Sequence, residues 1–225
     1  RILGDFLDNL GIKKTALVVH DIGGPIGLLW AVRNLDKLEK LVILNTLFYP
    51  DGSCRLFYTH KISLTKRYWS NISYPEGSLF LKLILLMIHT QGLRSFAFSQ
   101  FGISQIMRMG VENKEVISKE VTAAYQSPFN NAAGGQLLNK TFLELQLDEL
   151  DEIMQKLHTL KVPVFIVYGE KDSVLPGLPA EMHRLKKDLP DARLAAIPDC
   201  GHFLQEEKPE ELSSLLGLFL AEKNP

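Results

Sequence analysis

Ala16-Leu17-Val18-Val19-His20-Asp21-Ile22-Gly23-Gly24-Pro25-Ile26-Gly27 is the stretch that decides how the chain is built. It begins as an apolar run, Leu17 to Val19, that reads as a buried strand. It ends in Gly-Gly-Pro and a helical pattern of Ile26, Leu29, Trp30 and Val32. One charged residue, Asp21, stands between strand and helix. Gly23 and Gly24 allow a sharp turn and close packing of helix on strand. The helix start brings free N–H groups and a partial positive charge beside the carboxylate. Asp is also among the best helix N-caps. The stretch alone therefore leaves Asp21 as either a cap or a nucleophile lifted out on a strained strand-to-helix elbow.

Outward from the elbow, the pattern is that of an α/β domain. Residues 2 to 10 read as an amphipathic helix stopped at Gly11, and Thr15 to Val19 as a strand. A helix follows over residues 23 to 34, and Leu41 to Leu44 form a second buried strand between charges. Alternating helices and strands predict βαβ units and a mostly parallel sheet with helices on both faces. Residues 50 to 158 contain no clean buried strand. They predict helices at about 79–90, 95–108, 115–125 and 147–158, a helical lid inserted in the sheet. Strands resume at 162–169 and 192–197, separated by a helix at 178–187, and a final helix covers 208–221. The resulting division is 1–49 and 159–225 for the two parts of the core and 50–158 for the lid.

The bulk properties fit such a domain. The chain has 225 residues, 46% of them hydrophobic, and a net charge of −1. Balanced charge gives no footprint for nucleic acid. The most apolar run, Leu79 to Ile88, is shorter than the ~20 residues that span a bilayer, and no secretory signal is visible. Cys54 and Cys200 are too few for a disulfide framework and fit a reducing compartment, so the expected location is cytoplasmic. His20 lies beside Asp21, but no spaced set of His, Cys and carboxylates accompanies it. Neither a metal nor a cofactor is expected, and His20 is expected to pack behind the elbow. The sequence does not set the oligomeric state.

Asp21, Asp172 and His202 each follow a strand, in Val19-His20-Asp21, Tyr168-Gly169-Glu170-Lys171-Asp172 and Pro198-Asp199-Cys200-Gly201-His202. Strand C-terminal ends share one edge of an open α/β sheet, where ligands bind. Three residues distant in sequence can thus converge, in the order nucleophile, acid, histidine. Singly, Asp172 is a plausible turn residue and His202 a plausible loop histidine.

With these motifs the chain resembles the α/β-hydrolase superfamily, and within it the haloalkane dehalogenase and epoxide hydrolase branch, whose nucleophile is Asp. Ala124-Tyr125-Gln126-Ser127-Pro128-Phe129 also looks like a stretch of dehalogenase lids. The resemblance implies an α/β-hydrolase fold and a small apolar substrate. It gives Asp21 as nucleophile, Asp172 as the acid orienting His202, His202 as general base, and the Ile22 backbone N–H as an oxyanion donor. Tyr125 and Phe129 would contact substrate. Asn45 follows a strand where some relatives place the acid, a role an amide cannot take. A carboxylate suits displacement at sp³ carbon, forming an ester that water then cleaves. The first expected activity is haloalkane dehalogenation, with epoxide hydrolysis as the alternative. A non-catalytic hydrolase-like small-molecule binding protein, or an inactive fragment, is the reading from another class.

Two departures are visible. Dehalogenases typically carry Trp after the nucleophile to hold the halide, and Ile22 has no side-chain donor. Relatives also carry strands and a His-Gly oxyanion loop before the helix at residues 2 to 10, so the N-terminal strands are expected to be missing here. Loss of one oxyanion donor typically costs ~10²–10³ in rate, which predicts low or no activity.

Overall fold

A computed structural model describes residues 2–49, 99–129, 147–175 and 177–223. Four parallel strands form one sheet in the order β1-β2-β3-β4: β1 (Thr15–His20), β2 (Leu38–Leu44), β3 (Val164–Gly169) and β4 (Arg193–Ile197). Helix α1 (Ile2–Asn9) precedes β1, and α2 (Gly23–Arg33) connects β1 to β2. Between β2 and β3 lie α3 (Gln100–Met109), α4 (Lys119–Gln126) and α5 (Leu147–Lys156). After β3 come α6 (Leu178–Asp188), β4, the short α7 (Leu204–Glu207) and α8 (Pro209–Ala221). The helix expected at 79–90 lies outside the described residues.

The period-two alternation of the strands splits the apolar residues between two cores. On one face Val19, Leu41, Ile43, Val164 and Ile166 meet Leu28, Ala31, Ile153, Leu178 and Met182 from α2, α5 and α6. On the other, Val42, Leu44, Phe165 and Val167 meet Leu204, Leu212 and Phe219 from α7 and α8. Helices on both faces give β2 and β3 their continuous apolar character. A third, smaller cluster of Ile103, Met107, Val111 and Ile117 belongs to α3 and the segment after it, and Phe203 packs against it.

Several elements differ from the sequence reading. The helix expected at 115–125 begins only at Lys119, capped by Ser118, after a separate 3₁₀ turn at Lys114–Val116. Strand β2 starts at Leu38, three residues early, and includes Glu39 and Lys40. Lys40 shares the face of Val42 and is 6% exposed. Its ammonium donates to the carbonyls of Phe219 (2.8 Å), Leu220 (3.0 Å) and Glu222 at the C-terminus of α8. A cation there satisfies orphan carbonyls and the negative end of the helix dipole. Its charge hid a strand residue that the fold uses as a helix cap. Helix α7 was not expected, because four residues are too few to show a period.

Candidate active site

All four strands point their C-terminal ends at the same rim. Three non-glycine residues at or just after those ends have positive φ: Asp21 (48°), Asn45 (21°) and Asp199 (47°). Such conformations cost energy and persist where surrounding contacts over-determine them. At Asp21 the backbone N–H donates to the Asn45 carbonyl (3.1 Å) and the carbonyl accepts from Gly24 N–H (2.9 Å). The Thr46 hydroxyl donates to that same carbonyl at 2.6 Å. Glycine is required beneath this turn. A Cβ on Gly24 would stand 1.9 Å from Thr46 Oγ1, and one on Gly27 2.3 Å from Val19 Cγ1.

The loop after β4 is fitted as closely. A Cβ on Gly201 would meet the Gly110 carbonyl oxygen at 2.3 Å, and one on Gly169 would meet the Gly201 carbonyl oxygen at 2.2 Å. His202 is thereby delivered to the rim, 1% exposed. Its Nδ1 donates to Asp172 Oδ2 at 2.8 Å, which leaves Nε2 facing Asp21 Oδ2 at 3.7 Å. The second distance is an ion-pair separation rather than a hydrogen bond. The Asp21 side chain is 40% exposed and open to a reactant, whereas that of Asp172 is fully buried. The three polar residues singled out in the sequence are brought together.

Asp172 is held by four donors. Oδ1 accepts from Val174 N–H (2.8 Å) and Leu175 N–H (2.9 Å). Oδ2 accepts from His202 and from Asn45 Nδ2 (2.7 Å). Asn45 is completely buried. Its Nδ2 also donates to the Gly201 carbonyl (3.2 Å), and its Oδ1 accepts from Gly169 N–H (3.0 Å). One amide thus ties the ends of β2 and β3 to the His202 loop. The sequence reading considered Asn45 only as a failed acid; its sequence signal was a polar residue placed directly after an apolar strand.

The charges reinforce one another. Burial alone would lower the proton affinity of His202, but Asp172 and Asp21 together outweigh it and push its pKa up to about 10. At Asp21, loss of hydration pushes the carboxyl up, and the facing His202 imidazolium pulls it below its ordinary value. The neighbouring backbone N–H of Ile22 lowers it in the same sense. His20 is shifted down, unlike His202, by burial and by the neighbouring charge of His202. Its Nε2 bonds the His202 carbonyl at 2.9 Å, and the two rings lie 4.7 Å apart. His20 therefore packs against the histidine loop. Among the described residues, no group of three or more His, Cys, Asp or Glu could hold a metal ion, and no helix is long and apolar enough to cross a membrane.

Tyr125 and Phe129 lie in the cluster with Phe203, which in turn stands edge-on to His202 with ring centroids 5.0 Å apart. The Tyr125 hydroxyl donates to Glu206 Oε1 (3.0 Å) and accepts from Gln205 Nε2 (2.8 Å). Burial pushes its pKa up to about 12. As placed, its proton belongs to Glu206 and not to a reactant at Asp21. Trp30, on α2, is buried in the core.

Comparison with known proteins agrees with this arrangement at the level of the fold. The sequence profile of the Alpha/beta hydrolase family matches residues 1–215. A cis-3-alkyl-4-alkyloxetan-2-one decarboxylase from Shewanella oneidensis is 28% identical over 96% of this chain and 63% of its own length. A haloalkane dehalogenase 2 from Mycobacterium bovis is 25% identical over 96% of this chain and 68% of its own length. The solved structure of epoxide hydrolase CorEH is similar in fold, with a TM-score of 0.70 at 16% identity, over 97% of this chain and 72% of that one. The chain thus spans about two thirds of the length of these proteins.

Proposed function

The chain belongs to the alpha/beta hydrolase family, and from that premise we propose a hydrolase that works through a covalent ester on Asp21, with a small haloalkane as substrate. The observation that supports this most is a partly exposed carboxylate on a left-handed elbow, 3.7 Å from a histidine paired to a buried Asp. Oδ of Asp21 attacks the sp³ carbon, the carbon–halogen bond breaks, and halide leaves with the electron pair. The Ile22 N–H then faces the ester oxygen as an oxyanion donor. Forming the ester removes the negative charge of Asp21, one of the two charges that hold the proton on His202. His202 can then release that proton to solvent and take one from water. The resulting hydroxide attacks the ester carbonyl, the acyl carbon–oxygen bond breaks, and the alcohol leaves with a proton from His202. Asp172 holds the imidazole in the productive tautomer throughout.

Ile22 favours a second reading, epoxide hydrolysis. It supplies no side-chain donor for a departing halide, whereas the oxygen leaving an opened ring stays attached to the substrate. The two sequence relatives named above are named for a haloalkane and an oxetan-2-one, and a halogen or a strained-ring oxygen as leaving group suits either reading. Residues 50–158 are proposed as the lid, with Tyr125 and Phe129 on its substrate side.

The test uses His202→Ala, which should form the ester and fail to cleave it. The variant is incubated with a 1-haloalkane or an epoxide and the Asp21 peptide is weighed. An alkyl adduct supports the dehalogenase reading and a hydroxyalkyl adduct the epoxide hydrolase. No adduct, with binding retained, would replace both with a non-catalytic binding protein. A complementary check is multiple turnover of the wild-type protein in H₂¹⁸O, which should leave the heavy oxygen in the Asp21 carboxylate.

A further inference from the structure

Glu207 is a buried carboxylate, 9% exposed, that the reaction above does not use. It ends α7, five residues after His202. Its two oxygens accept from two backbone N–H groups in different parts of the chain. Oε2 takes Gly201 N–H at 2.7 Å, the residue immediately before His202. Oε1 takes Asn113 N–H at 2.6 Å, in the segment that follows α3. The same two parts of the chain touch again alongside: His202 N–H donates to the Gly110 carbonyl at 2.6 Å. A Cβ on Gly110 would strike the Phe203 ring at 2.8 Å. The Ser173 hydroxyl, next to Asp172, donates to the Met109 carbonyl at 2.7 Å.

We infer that Glu207 is a positioning residue for His202, holding the loop of the general base against residues 109–113 so that the imidazole sits between Asp172 and Asp21. This rests on the proposed role of His202. Charge-assisted bonds from an ionised carboxylate to N–H groups are short and strong, and both here lie at 2.7 Å or less. Without that acceptor, two buried N–H groups lose their partner and the loop shifts to recover hydrogen bonds. The direct electrostatic influences on the imidazole come chiefly from Asp172 and Asp21. Glu207 therefore acts through the backbone, by fixing the distance from Nε2 to Asp21.

Its loss should affect the two chemical steps unequally. Attack by Asp21 does not need His202 as a base, whereas hydrolysis of the ester does. In Glu207→Ala, the rate of Asp21 alkylation by a reactive haloalkane or epoxide should match wild type. Ester hydrolysis, followed by quenched-flow mass spectrometry, should slow roughly tenfold to a hundredfold, the scale of an ångström's misplacement. Glu207→Gln keeps one acceptor oxygen and should fall between. Titration of the His202 ring by NMR in the substrate-free protein gives a readout that needs no turnover. Its midpoint should fall in Glu207→Ala as the imidazole drifts from Asp21, with His20, Asp172 and Asp21 the titratable groups facing it. An unchanged His202 titration with unchanged ester hydrolysis would overturn the inference. So would an equal fall in both steps that follows the folded fraction in a thermal melt. Absence of any ester in wild type and in His202→Ala would overturn the functional reading instead. The NMR titration would then decide the role of Glu207 alone.

Discussion

His202 is stabilised in its charged form by two carboxylates, and stability should follow its titration. The folded pKa of about 10 lies above the ordinary 6.5. The contribution is therefore complete below pH 6.5 and is lost as pH rises through about 10. Asp21 has the opposite sign: its folded pKa lies below the ordinary 3.8, so its contribution is present above that value and is lost as pH falls through the folded one. Melting temperatures of wild type and His202→Gln, measured from pH 6 to pH 11, should converge at the alkaline end. A gap that stays constant would contradict the pairing. Gly24 offers a second test at a single residue. Gly24→Ala places a methyl 1.9 Å from Thr46 Oγ1, and urea unfolding should show a loss of about 1–3 kcal/mol. The clash also pushes on the hydroxyl that bonds the Asp21 carbonyl, so the ester-forming rate should drop with it.

Among the elements, the strands and the helices joining them were legible because each buries a stripe of its own period. Leu41 to Leu44 and Val164 to Val167 are apolar at every position because helices cover both faces. The start of β2 was not legible. Lys40 breaks the apolar run, and the α8 carbonyls that satisfy it are supplied 179 residues or more further along the chain. The polar residues at the strand tips were legible as positions, since Asp21, Asp172 and His202 each follow a strand. Their support was not, because Asn45 and Glu207 bond groups distant in sequence, Asp172 and backbone N–H and carbonyl groups among them, whose placement no local pattern records. Likewise, nothing in Ala124-Tyr125-Gln126 indicates that the Tyr125 hydroxyl is taken by Glu206. The Lys40 cap gives a prediction at this scale. Lys40→Met leaves the last α8 carbonyls without their partner and should cost about 1–3 kcal/mol in chemical unfolding. The ester-forming rate should stay at the wild-type level.

Across the whole molecule the sheet differs from end to end. Among the described residues β1 and β4 are its two edges, each paired on one side. Val18 on β1 is 43% exposed, and Ile2, Phe6 and Leu10 form an exposed stripe at i, i+4 and i+8 that continues past α1. An exposed apolar stripe of this kind favours self-association. Phe6→Glu should lower the concentration-dependent scattering of the protein and leave its melting temperature nearly unchanged. The asymmetry from end to end follows from four strands running one way. At one rim, Asp21, Asn45 and Asp199 hold left-handed backbones and the polar residues of the site. At the other, Lys40 closes the end of α8, five residues and about 16 Å of strand away from Asn45. Substitutions that far apart combine almost independently. In laboratory evolution, a search for new substrates would collect its changes along the first rim, and a search for heat tolerance along the second. Libraries built at the two rims could be crossed with little loss of either gain.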